Sequence, residues 1–121
     1  MSKSIIIVED EISIMKAMSI KLQNAGFQVE GAKEANEFFE KKGKKKFDLI
    51  LLDLMLPKIS GFEVLEKLRK EKNKVPVMVA SNLSQEEDKK RAQDLGAVDY
   101  IVKSDTSLNQ IVEKIQSFLE K

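Results

Sequence analysis

The sequence IIIVEDE at positions 5–11 decides the fold class, because a continuous β-branched run of strand length is followed at once by three acidic residues. Similar apolar runs stand at 49–52 and 77–80, with further strand candidates at 27–30 and 100–102. Continuous rather than alternating apolarity is typical of strands covered on both faces, as in a parallel sheet. The segment 27–30 alternates apolar and polar residues instead, which favours an edge strand.

Helical patterns fill the segments between these runs. The clearest is the last, in which apolar residues recur at three- and four-residue spacing from 108 to 119. Gly26 and Gly96 stand where C-terminal glycines end the first and fourth helices. The sequence Ser-Gln-Glu-Glu at 84–87 predicts a capping box for the fourth helix, in which only Ala92 and Leu95 can face the core. We therefore expect this helix to be weakly docked.

Five strands, each followed by a helix across a short connection, predict an α/β fold with an open parallel (βα)5 sheet and helices on both faces, a three-layer sandwich. The length of 121 residues is common for one domain, and we assign residues 1–121 to a single domain. No apolar run reaches the roughly 7–15 residues of a signal-peptide core or the roughly 20 of a membrane span. We expect a cytoplasmic protein that does not bind membranes.

The composition excludes several kinds of chemistry. There is no cysteine and no histidine, which removes disulfides, thiol catalysis, Ser-His-Asp hydrolysis and imidazole-ligated metals. The 21 basic and 20 acidic residues leave a net charge of +1, which argues against direct binding of nucleic acid through bulk charge. The lysine-rich run at 41–46 is interpreted first as a solvated helix end and loop, with a phosphate-binding patch as the weaker alternative.

Polar residues end the predicted strands. Glu9 and Asp10 follow the first strand, Asp53 the third, Ser81 the fourth and Lys103 the fifth. Ligands of open parallel sheets bind outside the carboxyl ends of the strands, so we expect these side chains to meet at one edge. Taken alone, each residue has an ordinary structural interpretation, as a helix cap, a turn residue or a surface lysine. Those interpretations become improbable together, because all of these residues are expected at the same edge of the sheet.

Carboxylates gathered in one pocket repel each other unless a cation lies among them. Oxygen ligands without histidine or cysteine select a hard ion such as Mg²⁺. A lysine and a hydroxyl beside the metal would complete a site for a phosphoryl group, and a free carboxylate could then act as the nucleophile. Phosphoryl transfer to an aspartate is the hypothesis that follows.

The ordered set of motifs resembles the receiver domains of bacterial two-component response regulators, and among them the single-domain chemotaxis type. The resemblance covers essentially the whole chain. It is carried by the segments 7–11, 51–57, 80–81, 96–97 and 100–103, together with Gly61. It implies the flavodoxin-like strand order 2-1-3-4-5, in agreement with the strand interpretation above.

The resemblance also implies a role for each site residue. Asp53 would be the phosphoacceptor. Glu9 and Asp10 would hold Mg²⁺ with Asp53 and the backbone carbonyl of Met55, Glu9 through a water molecule.

Three further residues would respond to the phosphoryl group. Lys103 would contact it, and Ser81 would supply the hydroxyl that moves toward it. Tyr100 would be the aromatic switch residue whose rotamer reports the phosphorylated state. The signal would leave through the surface formed by the fourth helix, the fifth strand and the fifth helix.

Four positions depart from the family pattern or vary within it. Ser104 follows the lysine where a proline is usual, and we expect a trans bond and a reshaped loop there. Asn82 is larger than the usual small residue and could narrow the phosphate entrance. Met55 and Leu83 are apolar at positions where family members differ, and they cannot orient a hydrolytic water.

The expected partners are a sensor histidine kinase or a phosphotransfer protein and an unknown downstream protein. We expect a signalling module rather than an enzyme, as a monomer or a phosphorylation-dependent dimer, either stand-alone or part of a longer regulator.

Three alternatives stay open. A pseudo-receiver would share the fold and bind proteins without being phosphorylated. An aspartate-nucleophile phosphohydrolase is weakened because Leu54 and Met55 follow Asp53 where that class needs Asp-x-Asp. A flavodoxin is weakened because acids, not a phosphate loop, follow the first strand.

Overall fold

A parallel sheet forms the centre of the protein. The structure is a computed structural model and describes residues 2–120. The strands are β1 (Ser4–Val8), β2 (Gln28–Ala32), β3 (Leu49–Leu52), β4 (Val77–Ser81) and β5 (Asp99–Val102). The helices are α1 (Ile12–Asn24), α2 (Ala35–Lys44), α3 (Gly61–Lys70), α4 (Glu86–Asp94) and α5 (Leu108–Leu119), with a 3-10 turn at Lys103–Asp105. The strand order β2-β1-β3-β4-β5 confirms the predicted flavodoxin-like α/β fold.

Two apolar cores cover the two faces of the sheet. On one face, alternate strand residues such as Ile6 and Ile50 pack with Phe38 of α2 and Leu65 of α3. On the other, Ile5, Leu49 and their neighbours pack with helices α1 and α5. Each fully buried aliphatic side chain contributes about 1.5–3 kcal/mol of transfer free energy. The continuous apolar runs are therefore explained by a sheet whose faces are both buried.

β2 is an edge strand, as its alternating pattern predicted. It pairs only with β1, and it begins at Gln28 rather than at Phe27. Lysines from the run at 41–46 lie along it, where Lys41 Nζ donates to the Gly31 carbonyl at 2.6 Å and Lys45 pairs with Glu30 at 2.9 Å. The run forms the end of α2 and the following loop, as the first interpretation of it proposed.

The ends of the helices were predicted in part. Gly26 and Gly96 have φ angles of 100° and 104° and directly follow the C-cap residues of α1 and α4, where a left-handed residue ends the helix. The prediction of a capping box at Ser84 is wrong. The helix α4 begins two residues later, at Glu86, and its N-cap residue, Gln85, makes no side-chain capping bond. The reciprocal capping box instead belongs to α5, between Ser107 and Gln110.

The helix α4 is held by few apolar contacts, as its composition predicted. Of its nine residues, all of which are described, only Ala92 is buried, and Leu95 packs on the same core just beyond the helix. Polar contacts add to this, because the Arg91 guanidinium lies 4.1 Å from the Phe62 ring centroid and 3.4 Å from a Glu66 carboxylate oxygen. Arg91 thus fastens α4 to α3.

Replacing Arg91 with alanine should loosen α4 without unfolding the protein. A partly exposed cation–π contact is worth about 0.5–1 kcal/mol, so amides in residues 86–94 should exchange with solvent about two- to fivefold faster. Hydrogen exchange read by mass spectrometry measures this directly. Lys90→Ala, at an exposed position of the same helix, is the control. Equal exchange in the two variants would show that Arg91 does not hold the helix.

Candidate functional site

An ammonium group joins the ends of three strands. Glu9, Asp53 and Lys103 are each the first residue after a strand, namely β1, β3 and β5. The Lys103 Nζ donates to Glu9 Oε1 at 2.6 Å and to Asp53 Oδ2 at 3.0 Å. Glu9 and Asp53 are buried, at 4% and 5% exposure. The side chains at the carboxyl edge of the sheet therefore meet, as the order of the strands predicted.

A third carboxylate completes an acidic cluster. One oxygen each from Glu9, Asp10 and Asp53 lie within 4.8 Å of one another, and Asp10 is exposed to solvent. The Lys103 ammonium binds two of these three carboxylates, Glu9 and Asp53, so the cluster is short of positive charge. The donors are all carboxylate oxygens, the ligand type that a small hard cation such as Mg²⁺ prefers.

Burial and the charges of neighbouring groups shift the pKa values of Glu9 and Lys103. Burial raises the pKa of Glu9, and the hydrogen bond from Lys103 offsets only part of this rise. Burial by itself would lower the pKa of Lys103, but its hydrogen bonds to Glu9 and Asp53, together with the attraction of their charges, outweigh burial and raise it. The pKa of Glu9 therefore rises mainly because the carboxyl is buried, whereas the pKa of Lys103 rises because two carboxylates surround its ammonium.

The backbone after β3 orients the Asp53 carboxylate. The Met55 N–H donates to Asp53 Oδ1 at 3.1 Å, while Lys103 binds the other oxygen. Both carboxylate oxygens are therefore engaged, in a fixed orientation. The Met55 side chain is 55% exposed. Coordination of a metal by the Met55 carbonyl stays a prediction.

Ser81 and Tyr100 meet at the backbone of Leu83. Ser81 is fully buried, and its hydroxyl oxygen accepts from the Leu83 N–H at 3.3 Å. The Tyr100 hydroxyl donates to the Leu83 carbonyl at 2.6 Å. Burial, with the charges of Asp88 and Asp53, raises the pKa of Tyr100 to about 12, so this hydroxyl keeps its proton. In the described chain, the bond that Ser81 makes is to this loop and not to the acidic cluster.

The loop after β5 has the expected peptide geometry. The bond between Lys103 and Ser104 is trans, since no cis bond occurs among the described residues. Residues Lys103–Asp105 form a single 3-10 turn. Lys103 still reaches both carboxylates from this turn, so the serine at 104 does not displace it from the site.

Sequence patterns do not reveal the backbone groups that complete this arrangement. The sequence shows Leu83 as an apolar side chain, whereas in the structure its N–H and its carbonyl bind Ser81 and Tyr100. The hydrogen bond from the Met55 N–H to Asp53 has no sequence signal either. Backbone groups are the same in every residue but proline, so no composition signal marks them.

Comparison with known proteins agrees with this geometry. Residues 5–116 match the family model described as response regulator receiver domain. The alkaline phosphatase synthesis transcriptional regulatory protein PhoP of Bacillus subtilis is 39% identical over 103 residues, which are 85% of this chain and 43% of that regulator. This chain spans about half the length of the curated relatives it matches.

Solved receiver domains share the fold. A CheY-like receiver domain protein of Methanospirillum hungatei is 30% identical, with a TM-score of 0.91 over 99% of this chain and 95% of that one. The response regulator TrrA of Thermotoga maritima, solved in complex with Mg(2+)-BeF, is 29% identical, with a TM-score of 0.83 over 95% and 97%. Described residues 2–120 include no helix with the length and apolarity of a membrane span. The fold, the acidic cluster and the family match together show that this chain belongs to the response regulator receiver domain family.

Proposed function

We propose that this chain, over residues 1–121, is a receiver that takes a phosphoryl group on Asp53 from the phosphohistidine of a sensor kinase or phosphotransfer protein. The observation that carries the proposal is the Asp53 carboxylate itself. It is buried, both of its oxygens are oriented, and it lies among Glu9, Asp10 and Lys103. None of the 121 residues is a histidine, so the phosphohistidine that donates the group lies outside them.

The donor set fits Mg²⁺. Glu9, Asp10 and Asp53 offer three oxygen ligands with one ammonium between them, and the Met55 carbonyl is the proposed fourth ligand. Bound Mg²⁺ supplies charge neutralisation for phosphoryl oxygens. The complex of the related TrrA with Mg(2+)-BeF supports this choice of ion. We place Mg²⁺ at this cluster as a cofactor of the transfer.

The transfer uses groups of this chain. An Asp53 oxygen attacks phosphorus, the phosphorus–nitrogen bond to the donor imidazole breaks, and the imidazole leaves with that electron pair and takes a proton. Lys103 turns from the carboxylates to the phosphoryl oxygens, where its charge stabilises the transferring group. In the structure the Ser81 hydroxyl oxygen accepts a hydrogen bond from the Leu83 N–H. The hydroxyl proton of Ser81 is therefore free to be donated to a phosphoryl oxygen.

The signal leaves through Leu83. A phosphoryl group adds about −1.5 to −2 charges and draws Ser81 toward it, which pulls on the loop before α4. Tyr100 is bonded to the carbonyl of that loop, and α4 is weakly docked, so both respond together. The proposed output is a shift in population at the surface of α4, β5 and α5, which an unknown downstream protein reads. This makes the chain a signalling module and not an enzyme.

Phosphorylation by a small donor tests the proposal. Incubation with acetyl phosphate and Mg²⁺ should add one phosphoryl group to the intact protein, because the oriented Asp53 can attack a small acyl phosphate as well as a phosphohistidine. Intact mass spectrometry measures the gain.

Two comparisons make this result decisive. Asp53→Asn should abolish the gain, and chelation of Mg²⁺ should slow it by at least about tenfold. A gain that survives Asp53→Asn would contradict the assignment of the phosphoacceptor. No gain in the wild-type protein would favour the pseudo-receiver instead.

The phosphoryl group should be lost slowly. Met55 and Leu83 place no polar side chain that could orient a water for attack on the acyl phosphate. Met55→Asn and Leu83→Glu should each shorten its lifetime, by about tenfold if the barrier falls by about 1.4 kcal/mol. The decay of phosphorylated protein after donor removal measures this, with Met55→Leu as the apolar control. Slower decay in the two polar variants than in wild type would refute the idea.

Tyr100 offers a spectroscopic test of the switch geometry. It is the only tyrosine and there is no tryptophan, so ultraviolet absorbance follows its ionisation alone. The midpoint should lie at about 12 in the native protein, against 10.0 for the unperturbed group. Because the unfolded chain ionises first, Tyr100 should leave the free energy of unfolding unchanged below about pH 10 and lower it as pH rises from 10 to 12. A native midpoint equal to that in denaturant would contradict the buried position of this hydroxyl.

A further inference from the structure

We infer that Gly61 is a positioning residue for Asp53, an inference that rests on the proposed phosphoryl transfer. Gly61 is the first residue of α3 and is buried, eight positions beyond the aspartate. It touches neither the carboxylate cluster nor any group assigned a chemical role. What it contacts is the peptide that carries the Asp53 side chain.

The contact leaves no room for a side chain. A Cβ built on Gly61 would lie 2.5 Å from the Leu54 Cα, 3.1 Å from the Asp53 carbonyl carbon and against the Asp53 carbonyl oxygen. These are backbone atoms, which cannot swing aside as the end of a flexible side chain can. Any other residue at 61 must therefore move either α3 or the peptide between 53 and 54.

Helix α3 is the less mobile of the two. The Gly61 N–H donates to the Leu54 carbonyl at 2.9 Å, and the Ser60 hydroxyl caps the helix by accepting from Glu63. Phe62, Val64, Leu65 and Leu68 of the same helix are buried in the core. Moving the helix would disturb all of these contacts, so the peptide after Asp53 is the part that yields.

A small movement of that peptide would misplace the carboxylate. The two Asp53 oxygens are bonded to Met55 N–H and to Lys103, and the neighbouring ligand oxygens come from a different strand end. Reacting groups displaced by about 1 Å can lose about a hundredfold in rate. Gly61 would thus act on the chemistry solely through the position of Asp53.

Two other glycines provide matched controls. These are Gly31 and Gly43. Like Gly61, and unlike Gly26 and Gly96, they do not have a left-handed φ, so the backbone allows alanine at each of the three positions. A Cβ at Gly31 would collide with the Met15 thioether, a flexible side chain rather than backbone, and a Cβ at Gly43 would meet nothing within 4 Å. Gly31→Ala reports the effect of crowding elsewhere in the core, and Gly43→Ala the effect of the extra methyl alone.

The experiment compares the three alanine variants in two assays. One is the rate of phosphorylation by acetyl phosphate with Mg²⁺, and the other is the affinity for Mg²⁺ alone by calorimetry. Gly61→Ala should be phosphorylated about a hundredfold more slowly, with weaker binding of Mg²⁺. The Gly31 and Gly43 variants should stay within about twofold of wild type, even where thermal unfolding shows Gly31→Ala to be destabilised.

The outcomes separate this inference from the proposed function. If wild type takes no phosphoryl group, the proposed function fails, while the Mg²⁺ affinities still decide whether Gly61 positions the carboxylate. Wild-type affinity and rate in Gly61→Ala would overturn the inference, and so would equal losses in Gly31→Ala. To cover the case in which Gly61→Ala by itself is too unstable to fold, it is also combined with Gly43→Ala. The second change stabilises the protein because alanine favours the helix α2 more than glycine does. If the double variant is still unfolded, the inference is overturned as well, because Gly61 would then be needed for folding and not specifically for the position of Asp53.

Discussion

The ammonium of Lys103, shared by the buried carboxylates of Glu9 and Asp53, is the interaction on which the site depends. The two acids follow neighbouring strands, but Lys103 follows β5, which is separated from β3 by β4. Two strand spacings amount to roughly 10 Å, so a long side chain is needed to bridge the sheet edge. The strand between them ends in the small residue Ser81. The parallel order of the strands, more than any local motif, therefore creates the cluster.

This arrangement is better suited to binding than to stability. A buried ion pair gains little over apolar packing, because both charges lose their hydration. Here one ammonium serves two buried carboxylates with a third beside them, so the shortage of positive charge persists after folding. The net charge of +1 for the whole chain conceals this local imbalance. The proposed Mg²⁺ would correct this imbalance and free Lys103 to bind another anion.

The sequence predicted the strands, their parallel arrangement and the meeting of the charged residues at one edge, because apolar runs and strand ends leave clear signals. Ser81, expected to join them, binds the Leu83 N–H instead. Prediction from the sequence failed where a tertiary contact overrides a local one. Residues 84–87 and 107–110 both have the sequence of a capping box, but only Ser107 caps a helix. Ahead of α4, the backbone of Leu83 is already bonded to Ser81 and Tyr100, which holds that loop out of helical geometry. Such links between a side chain and a distant backbone group have no sequence signature.

The same backbone links would carry the proposed signal from a site with few mobile groups to a distant surface. Ser81 is buried and Asp53 is fixed by two hydrogen bonds, so neither can shift without its neighbours. Leu83 offers the one N–H that Ser81 binds and the one carbonyl that Tyr100 binds. A helix with a large apolar face would resist movement of this loop, but α4 buries Ala92 alone among its described residues. Under the proposed function, weak docking of α4 would be as necessary to signalling as the rigid cluster, because a change at a rigid site reaches the surface only through an element that can move.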